Sequence, residues 1–290
     1  AVFALFIVGL LLATLLSEKP DFSEWENRPL ASFPEANAET VFSGEFGKDF
    51  ETWLTDRFAA RDFWVKFKRI SDSALGIREA GGVAVGNNAL FDIPDPANTK
   101  AVDKNILAIN TFAEKTELPV SVMLVPSAAT VFPDSTPSLF PSTGEENTVS
   151  DIYSRLGEGV KTVDVIKPLR TMNYDDAFYK TDHHWTSMGA ACAYAEWIDN
   201  GNSYAAKTVA ENFYGTLTSR SGDIFTEPDT IKKITSGDRF VSCEVFDGKS
   251  VTEYPSMYFE EYLAVKDKYS YFLGSNQPLV TLKTDNATGR

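Results

Sequence analysis

The sequence predicts an α/β fold, with a mainly parallel sheet and helices on both of its faces. Three observations carry that prediction. Residues 119–126 (PVSVMLVP) are a continuous apolar run of strand length, of the kind found in strands covered on both sides, and 161–166 (KTVDVI) reads as a second buried strand. Residues 100–115, 150–156 and 189–200 have helical character and alternate with those runs. Strands that alternate with crossover helices pair in parallel, in layers.

The 290 residues suffice for a large core, and the composition is that of a folded protein, 43% apolar and 13% aromatic without low-complexity tracts. A net charge of −14 with scattered basic residues excludes a nucleic-acid surface. It also disfavours an anionic polymer unless local patches reverse the sign.

Taken in order, residues 1–16 (AVFALFIVGLLLATLL) are uncharged and apolar and then break sharply into SEKPDFSEWENR. The run is a little shorter than the ~20 residues of a membrane span. It reads as a signal peptide's h-region or as a transmembrane signal-anchor segment; the lack of a small-x-small cleavage site favours the anchor, and either places the rest of the chain outside the cytoplasm. Residues 17–44 hold Pro20, Pro29, Pro34 and Gly44 among polar residues and are expected to form an extended stalk. Residues 45–290 form the α/β domain. It begins with Phe46, Phe50, Trp53, Leu54, Phe58, Phe63, Phe67 and Ile70 at spacings of one helix or a bent pair. That aromatic stripe suits either a sugar platform or, as the commoner use, the core. Residues 81–95 read as a strand and turn punctuated by Gly81, Gly82 and Gly86, without a GxGxxG or P-loop pattern, so no nucleotide cofactor is expected.

On residues 100–115, Val102, Ile106, Ile109 and Phe112 share one side. The loop after MLVP carries Ser127, which is either a nucleophile candidate or a helix cap; no GxSxG or GDS surrounds it. Residues 201–262 look like an irregular excursion that shapes a cleft, with Ser219 and Arg220 as candidate substrate contacts. Asn276, in Gly274-Ser275-Asn276, is a candidate oxyanion or substrate group, or part of a plain turn. Cys192 and Cys243 permit one disulfide outside the cell, but their separate layers favour two free thiols.

The chemistry concentrates at Tyr179-Lys180-Thr181-Asp182-His183-His184-Trp185-Thr186, which contains both histidines of the chain. In an extended segment Asp182 and His184 share a face, so the carboxylate can orient the imidazole as a general base. A histidine pair also serves simply as a surface or capping feature. Neighbouring side chains on a strand diverge, both cysteines are remote and there is no third histidine, so no metal site is expected. Thr186 is placed to cap a helix beginning at Ser187.

YKTDHHWTSMGA resembles the signature of the DHHW family, which is similar to the SGNH-hydrolase-like polysaccharide O-acetyltransferases of the alginate type. FSEWENRPLASFP, MLVPSAATVFPDSTP, NFYGTLTSRSG and KDKYSYFLGSNQP extend the resemblance along nearly the whole chain. It implies a three-layer SGNH-like fold with Asp182 as the orienting acid, His184 as the base and His183 in the variable position. Tyr179, His183 and Trp185 join Ser127, Arg220 and Asn276 as candidate substrate or oxyanion contacts. The family's nucleophilic serine follows a later Asp-Ser turn, and the chain reaches Arg290 before such a turn. The resemblance therefore implies a C-terminally truncated domain whose serine lies beyond residue 290.

The expected function is an extracytoplasmic acyl-ester transferase or esterase, moving O-acetyl groups on cell-envelope polysaccharide through a Ser-His-Asp triad. Neither cofactor nor metal is required, and the resemblance implies a membrane-bound acyltransferase partner as acetyl supply. The alternative is a non-catalytic glycan-binding or envelope-assembly scaffold.

Overall fold

The computed structural model of the chain describes residues 2–16, 21–23, 26, 28–142, 144–199, 204–235 and 240–284. The chain opens with helix α1 (Val2–Leu16), apolar all round and largely exposed. Its 15 residues rise about 22 Å at 1.5 Å each, and no described helix is long and apolar enough to cross a membrane. Its inner end is anchored: buried Thr14 accepts from the Ala59 N–H at 3.1 Å.

The extended stalk expected over residues 17–44 is not what the described part of that segment forms. Strands β1 (Phe22–Ser23) and β2 (Arg28–Pro29) pair antiparallel, and Asn37 caps helix α2 (Ala38–Ser43). Arg28 grips the Asp56 carboxylate with two N–H groups at 2.9 and 2.5 Å, and the Ala31 N–H adds a third bond at 2.9 Å. A bidentate pair of this kind binds the segment down onto the domain.

Asp56 ends helix α3 (Glu45–Asp56), and helix α4 (Arg61–Ala74) follows after Ala60, whose φ of 55° breaks the helical path. This is the bent pair, but its aromatic stripe is not the core. Phe63 and Phe67 are more than half exposed, stacking on each other with ring centroids 6.1 Å apart. The buried residue of α4 is instead Arg69, whose guanidinium lies 3.8 Å from the buried Asp223 carboxylate. The buried arginine thus faces a buried carboxylate, while the aromatic side of the helix faces outward.

Strands β3 (Glu79–Ala80), β4 (Val83–Val85) and β5 (Leu90–Asp92) form an antiparallel meander. Helix α5 (Thr99–Lys115) is capped by Asn98 and buries Ile106, whereas Phe112 is exposed. Strand β6 (Val120–Met123) leads through α6 (Ala128–Val131), a 3-10 turn at Pro133–Ser135 and α7 (Glu145–Ser154) to β7 (Val160–Val163). β6 and β7 pair in parallel, Val120 opposite Val160 through Met123 opposite Val163. Short helices α8 (Ile166–Arg170) and α9 (Tyr174–Ala177) and the longer α10 (Ser187–Ile198) pack on this unit. The main core forms there, from Val131, Val163, Val165, Leu169, Ala177, Phe178 and Ala193.

The expected irregular insertion over residues 201–262 is more ordered than its sequence suggests. Strand β8 (Ala205–Phe213) pairs antiparallel with β9 (Asp229–Thr235), with helix α11 (Thr216–Ser221) between them. Strand β10 (Phe240–Phe246) is then flanked by β11 (Val251–Tyr254) and β12 (Leu279–Thr284), both antiparallel to it. The fold is α/β, but its strand pairing is mixed. Among the described residues only β6 and β7 are parallel, and every other strand pair runs antiparallel. Cys192 and Cys243 are free thiols.

Candidate active site

Residues 178–186 form a closed loop rather than an extended strand. Phe178 bridges Trp185, the Tyr179 N–H donates to the His184 carbonyl at 3.2 Å, and the Thr186 N–H donates to the Ala177 carbonyl at 2.9 Å. Thr186 caps α10 as expected, its hydroxyl accepting from the Met188 and Gly189 N–H groups, each at 3.1 Å. The loop is fixed from beneath by Asp229, which accepts from the N–H groups of Lys180 and Thr181, both at 2.8 Å, and from the Thr181 hydroxyl at 2.5 Å. Burial raises the Asp229 carboxyl, against the lowering effect of those bonds. Thr181 in turn accepts from the Gly215 N–H at 3.0 Å, which ties β8 and α11 to the loop.

Within this frame Asp182 and His184 meet. The Asp182 Oδ1 lies 2.6 Å from the His184 Nδ1 and also accepts from the His184 backbone N–H at 3.0 Å. A carboxylate only accepts, so Nδ1 carries the proton and Nε2 is the basic nitrogen. The other oxygen, Oδ2, accepts from the Thr216 N–H at 2.8 Å and its hydroxyl at 2.6 Å. Burial alone would raise the Asp182 carboxyl. The bonds from His184 and Thr216 outweigh it and hold the group well below the usual carboxylate range. The hydrogen bond to Asp182 raises His184, with burial opposing. The His184 side chain is 45% exposed and its ring stacks on Tyr269, centroids 5.2 Å apart.

The loop geometry corrects the expectation that the histidines diverge: their centroids are 3.9 Å apart. The His183 Nδ1 lies 3.1 Å from the Thr216 hydroxyl oxygen. Since that hydroxyl gives its one proton to Asp182, the His183 Nδ1 is the donor. Donor atoms of Asp182, His183 and His184 lie within 4.8 Å of one another, a grouping able to hold a metal ion. The hydrogen bonds to Asp182 and Thr216 nevertheless occupy both Nδ1 atoms.

These residues open into a cavity of about 430 Å³ whose walls include Leu90, Phe91, Ser127, His183, His184 and Trp185. The structure therefore brings Ser127, His183 and Trp185 to the dyad. Ser127 caps α6, and its hydroxyl donates to Glu145 at 2.6 Å, so its proton is committed to a carboxylate. Tyr179, expected as a substrate contact, is only 1% exposed and packs against Phe213; it supports the loop from inside. Asn276, expected near an oxyanion, is on the surface and is not part of this cavity wall. Arg220 is at the rim, ion-paired with Asp92 and donating to the Gly81 carbonyl at 3.2 Å.

Four residues escape notice in the sequence: Gly215, Thr216, Asp229 and Tyr269. Thr216 and Gly215 lie inside the stretch NFYGTLTSRSG, but nothing in its composition ties it to a loop more than thirty residues earlier. Gly215 is demanded by space. A Cβ there would stand 2.3 Å from the Asp182 Cβ and 2.5 Å from its Oδ2.

Comparison with known proteins agrees with this fold. Residues 96–224, which include the dyad and Thr216, match the family described as the SGNH hydrolase-like domain of the acetyltransferase AlgX. Over 179 residues the chain is 22% identical to a probable alginate O-acetylase AlgJ of Pseudomonas syringae, covering 58% of this chain. It spans about half, 46%, of the length of that relative. Among solved structures, a DHHW family protein from Eubacterium siraeum superposes with a TM-score of 0.57 at 21% identity, covering 73% of this chain and 74% of that one. PatB1 of Bacillus cereus, solved with a sulfonyl adduct, also gives 0.57 at 18% identity, covering 71% and 75%. The resemblance to DHHW and SGNH-hydrolase-like O-acetyltransferases and the SGNH-like α/β fold are thereby shown.

Proposed function

We propose that the chain transfers or hydrolyses O-acetyl esters of a polysaccharide, with the Asp182–His184 dyad as its proton-handling centre. The observation that carries this reading is the 2.6 Å bond between the Asp182 Oδ1 and the His184 Nδ1 on a loop that lines an open cavity. Asp182 fixes the tautomer and balances the imidazolium that forms, and Nε2 takes the proton of a serine hydroxyl as its oxygen attacks the ester carbonyl. Collapse of the tetrahedral intermediate expels the donor alkoxide, which recovers that proton from His184. A sugar hydroxyl, or water, then repeats the sequence on the acyl-enzyme. The AlgX-type domain match and the AlgJ relative support acetyl as the acyl group and polysaccharide as the acceptor. The exposed apolar α1 supports a membrane tether with the domain outside the cytoplasm, and acetyl would then be supplied by a membrane-bound acyltransferase.

The test is hydrolysis of a chromogenic acetyl ester and labelling by a fluorophosphonate, with the labelled peptide mapped, in the natural full-length protein and in its His184→Ala variant. Turnover and serine labelling that both collapse in the variant are expected. Absence of labelling in the unmodified protein would sink the acyl-enzyme reading in favour of a glycan-binding scaffold.

A further inference from the structure

Helix α4 is built inside out. Val65, Arg69 and Asp72, spaced four and three residues apart, form its inward side. A Cβ on Gly222 would stand 3.3 Å from Val65 and 3.5 Å from Arg69, and the Asp72 carboxylate lies 3.6 Å from the Arg69 guanidinium. Phe63, Phe67 and Ile70, with the same spacing, form the opposite side, and they are 57%, 53% and 49% exposed. Trp64 joins them, its ring centroid 5.2 Å from that of Phe63 and 6.4 Å from that of Phe67. A surface helix bathed in water turns its apolar side in and its charged side out; α4 does the reverse.

The neighbouring helix indicates what belongs against this side. Among the described side chains of α1 only Leu10 and Thr14 are not exposed, and the rest of the helix is apolar, uncharged and bare. A helix apolar all round is at home in hydrocarbon. Because Thr14 accepts from the Ala59 N–H, α1 leaves the domain at the turn that leads into α4, four residues ahead of Phe63. A lipid-embedded α1 therefore brings the first turn of α4 to the bilayer surface. The outward side has the composition for that place, since aromatic rings, tryptophan among them, favour the boundary between headgroups and acyl chains. Lys66 and Lys68 border the apolar strip on either side and are exposed, with stems long enough to keep their ammonium groups at headgroup level; Lys68 donates to Asp72 at 2.6 Å. A protein partner fitted to the strip would leave α1 in water, whereas one bilayer accommodates both.

We propose that the side of α4 bearing Phe63, Trp64, Phe67 and Ile70 is a membrane-contact surface, inserting roughly 5–10 Å into the headgroup–acyl boundary of a phospholipid bilayer beside α1. The domain is then held at two points rather than swinging on a single helix. The inference rests on the reading of α1 as a membrane tether and adds a second lipid contact to it.

Spin labels test it, attached singly at Phe63→Cys, Phe67→Cys, Ile70→Cys, Phe6→Cys and Phe112→Cys in the natural full-length protein, freed of its other cysteines and reconstituted in phosphatidylcholine liposomes. Accessibility to oxygen, which concentrates in lipid, is compared with accessibility to a water-soluble nickel chelate in variants whose circular dichroism is unchanged. The oxygen-to-nickel ratio at the three α4 positions should exceed that at Phe112, exposed on α5, by about threefold or more. A second readout needs no label: brominated-chain lipid should quench at least about half of the emission that Trp64→Phe removes. Ratios at α4 equal to that at Phe112, labels there shielded from both reagents as under a second copy or another protein, or an unquenched Trp64 would each overturn the inference. Lipid contact at Phe6 with water at Phe67 would sink the inference and leave the tether reading standing. Lipid contact at Phe67 with water at Phe6 would do the opposite.

Discussion

Replacing Gly215 by alanine is the sharpest probe of the site, because it adds one carbon at a known place. The backbone there has φ −83° and ψ −169°, a conformation open to any residue, so the substitution imposes no intrinsic strain. What it imposes is contact: the new methyl would lie 2.3 Å from the Asp182 Cβ and 2.5 Å from its Oδ2. Ordinary carbon contacts begin at about 3.5 Å, so Asp182 or the start of α11 must move by about 1 Å. A shift of that size stretches the 2.6 Å bonds from Asp182 to His184 and Thr216 beyond useful length. Each such bond to a charged group contributes about 1.5–3 kcal/mol, and misplacing the base by about 1 Å costs on the order of a hundredfold in rate. We expect kcat/KM for a chromogenic acetyl ester to fall at least thirtyfold, with the fold retained by circular dichroism. Gly47→Ala in α3, where a Cβ meets nothing within 4 Å, is the control and should leave activity intact. Full activity in Gly215→Ala would show that the carboxylate does not set the position of His184, and the account of the dyad would fail.

Three further outcomes follow from the same geometry. Thr216→Val removes the hydroxyl that serves both Asp182 and His183, so kcat should drop about tenfold or more, and Thr216→Ser should restore most of it. His184 must be neutral to act as a base, and its hydrogen bond to Asp182 raises it, with burial opposing. The acidic limb of the kcat/KM profile should therefore lie above the ordinary histidine value of ~6.5 and move to lower pH in Asp182→Asn, alongside a large loss of rate. Asp229→Ala leaves two buried N–H groups and a hydroxyl without their acceptor, and a loss of about 3 kcal/mol or more in urea unfolding is expected.

How much of this was legible in the sequence depends on the distance over which each feature is built. Asp182 and His184 are two residues apart, so a local motif reports them. Thr186 caps the helix that starts at the next residue and is equally visible. Thr216 and Asp229 reach the loop from 34 and 48 residues away, through hydrogen bonds that leave no periodic trace. The strand within PVSVMLVP pairs in parallel as its sequence predicts, but the strands elsewhere pair antiparallel, a direction that apolar runs do not encode. The aromatic stripe over α3 and α4 misled for a related reason. A helical period tells which side chains share a face but not which way that face looks; here Arg69, facing the buried Asp223, is on the inward side.

The placement of acid and base on one nine-residue loop has a kinetic meaning. When members of a proton relay come from separate loops, every breathing motion of the domain changes their mutual distance. Here both groups ride on a segment closed upon itself by the Phe178–Trp185 bridge and held from below by Asp229. Thermal deformation of the surrounding sheet carries them as one body. The pair is therefore preassembled before substrate arrives, and the gap that fluctuates is the one between Nε2 and the hydroxyl it must deprotonate.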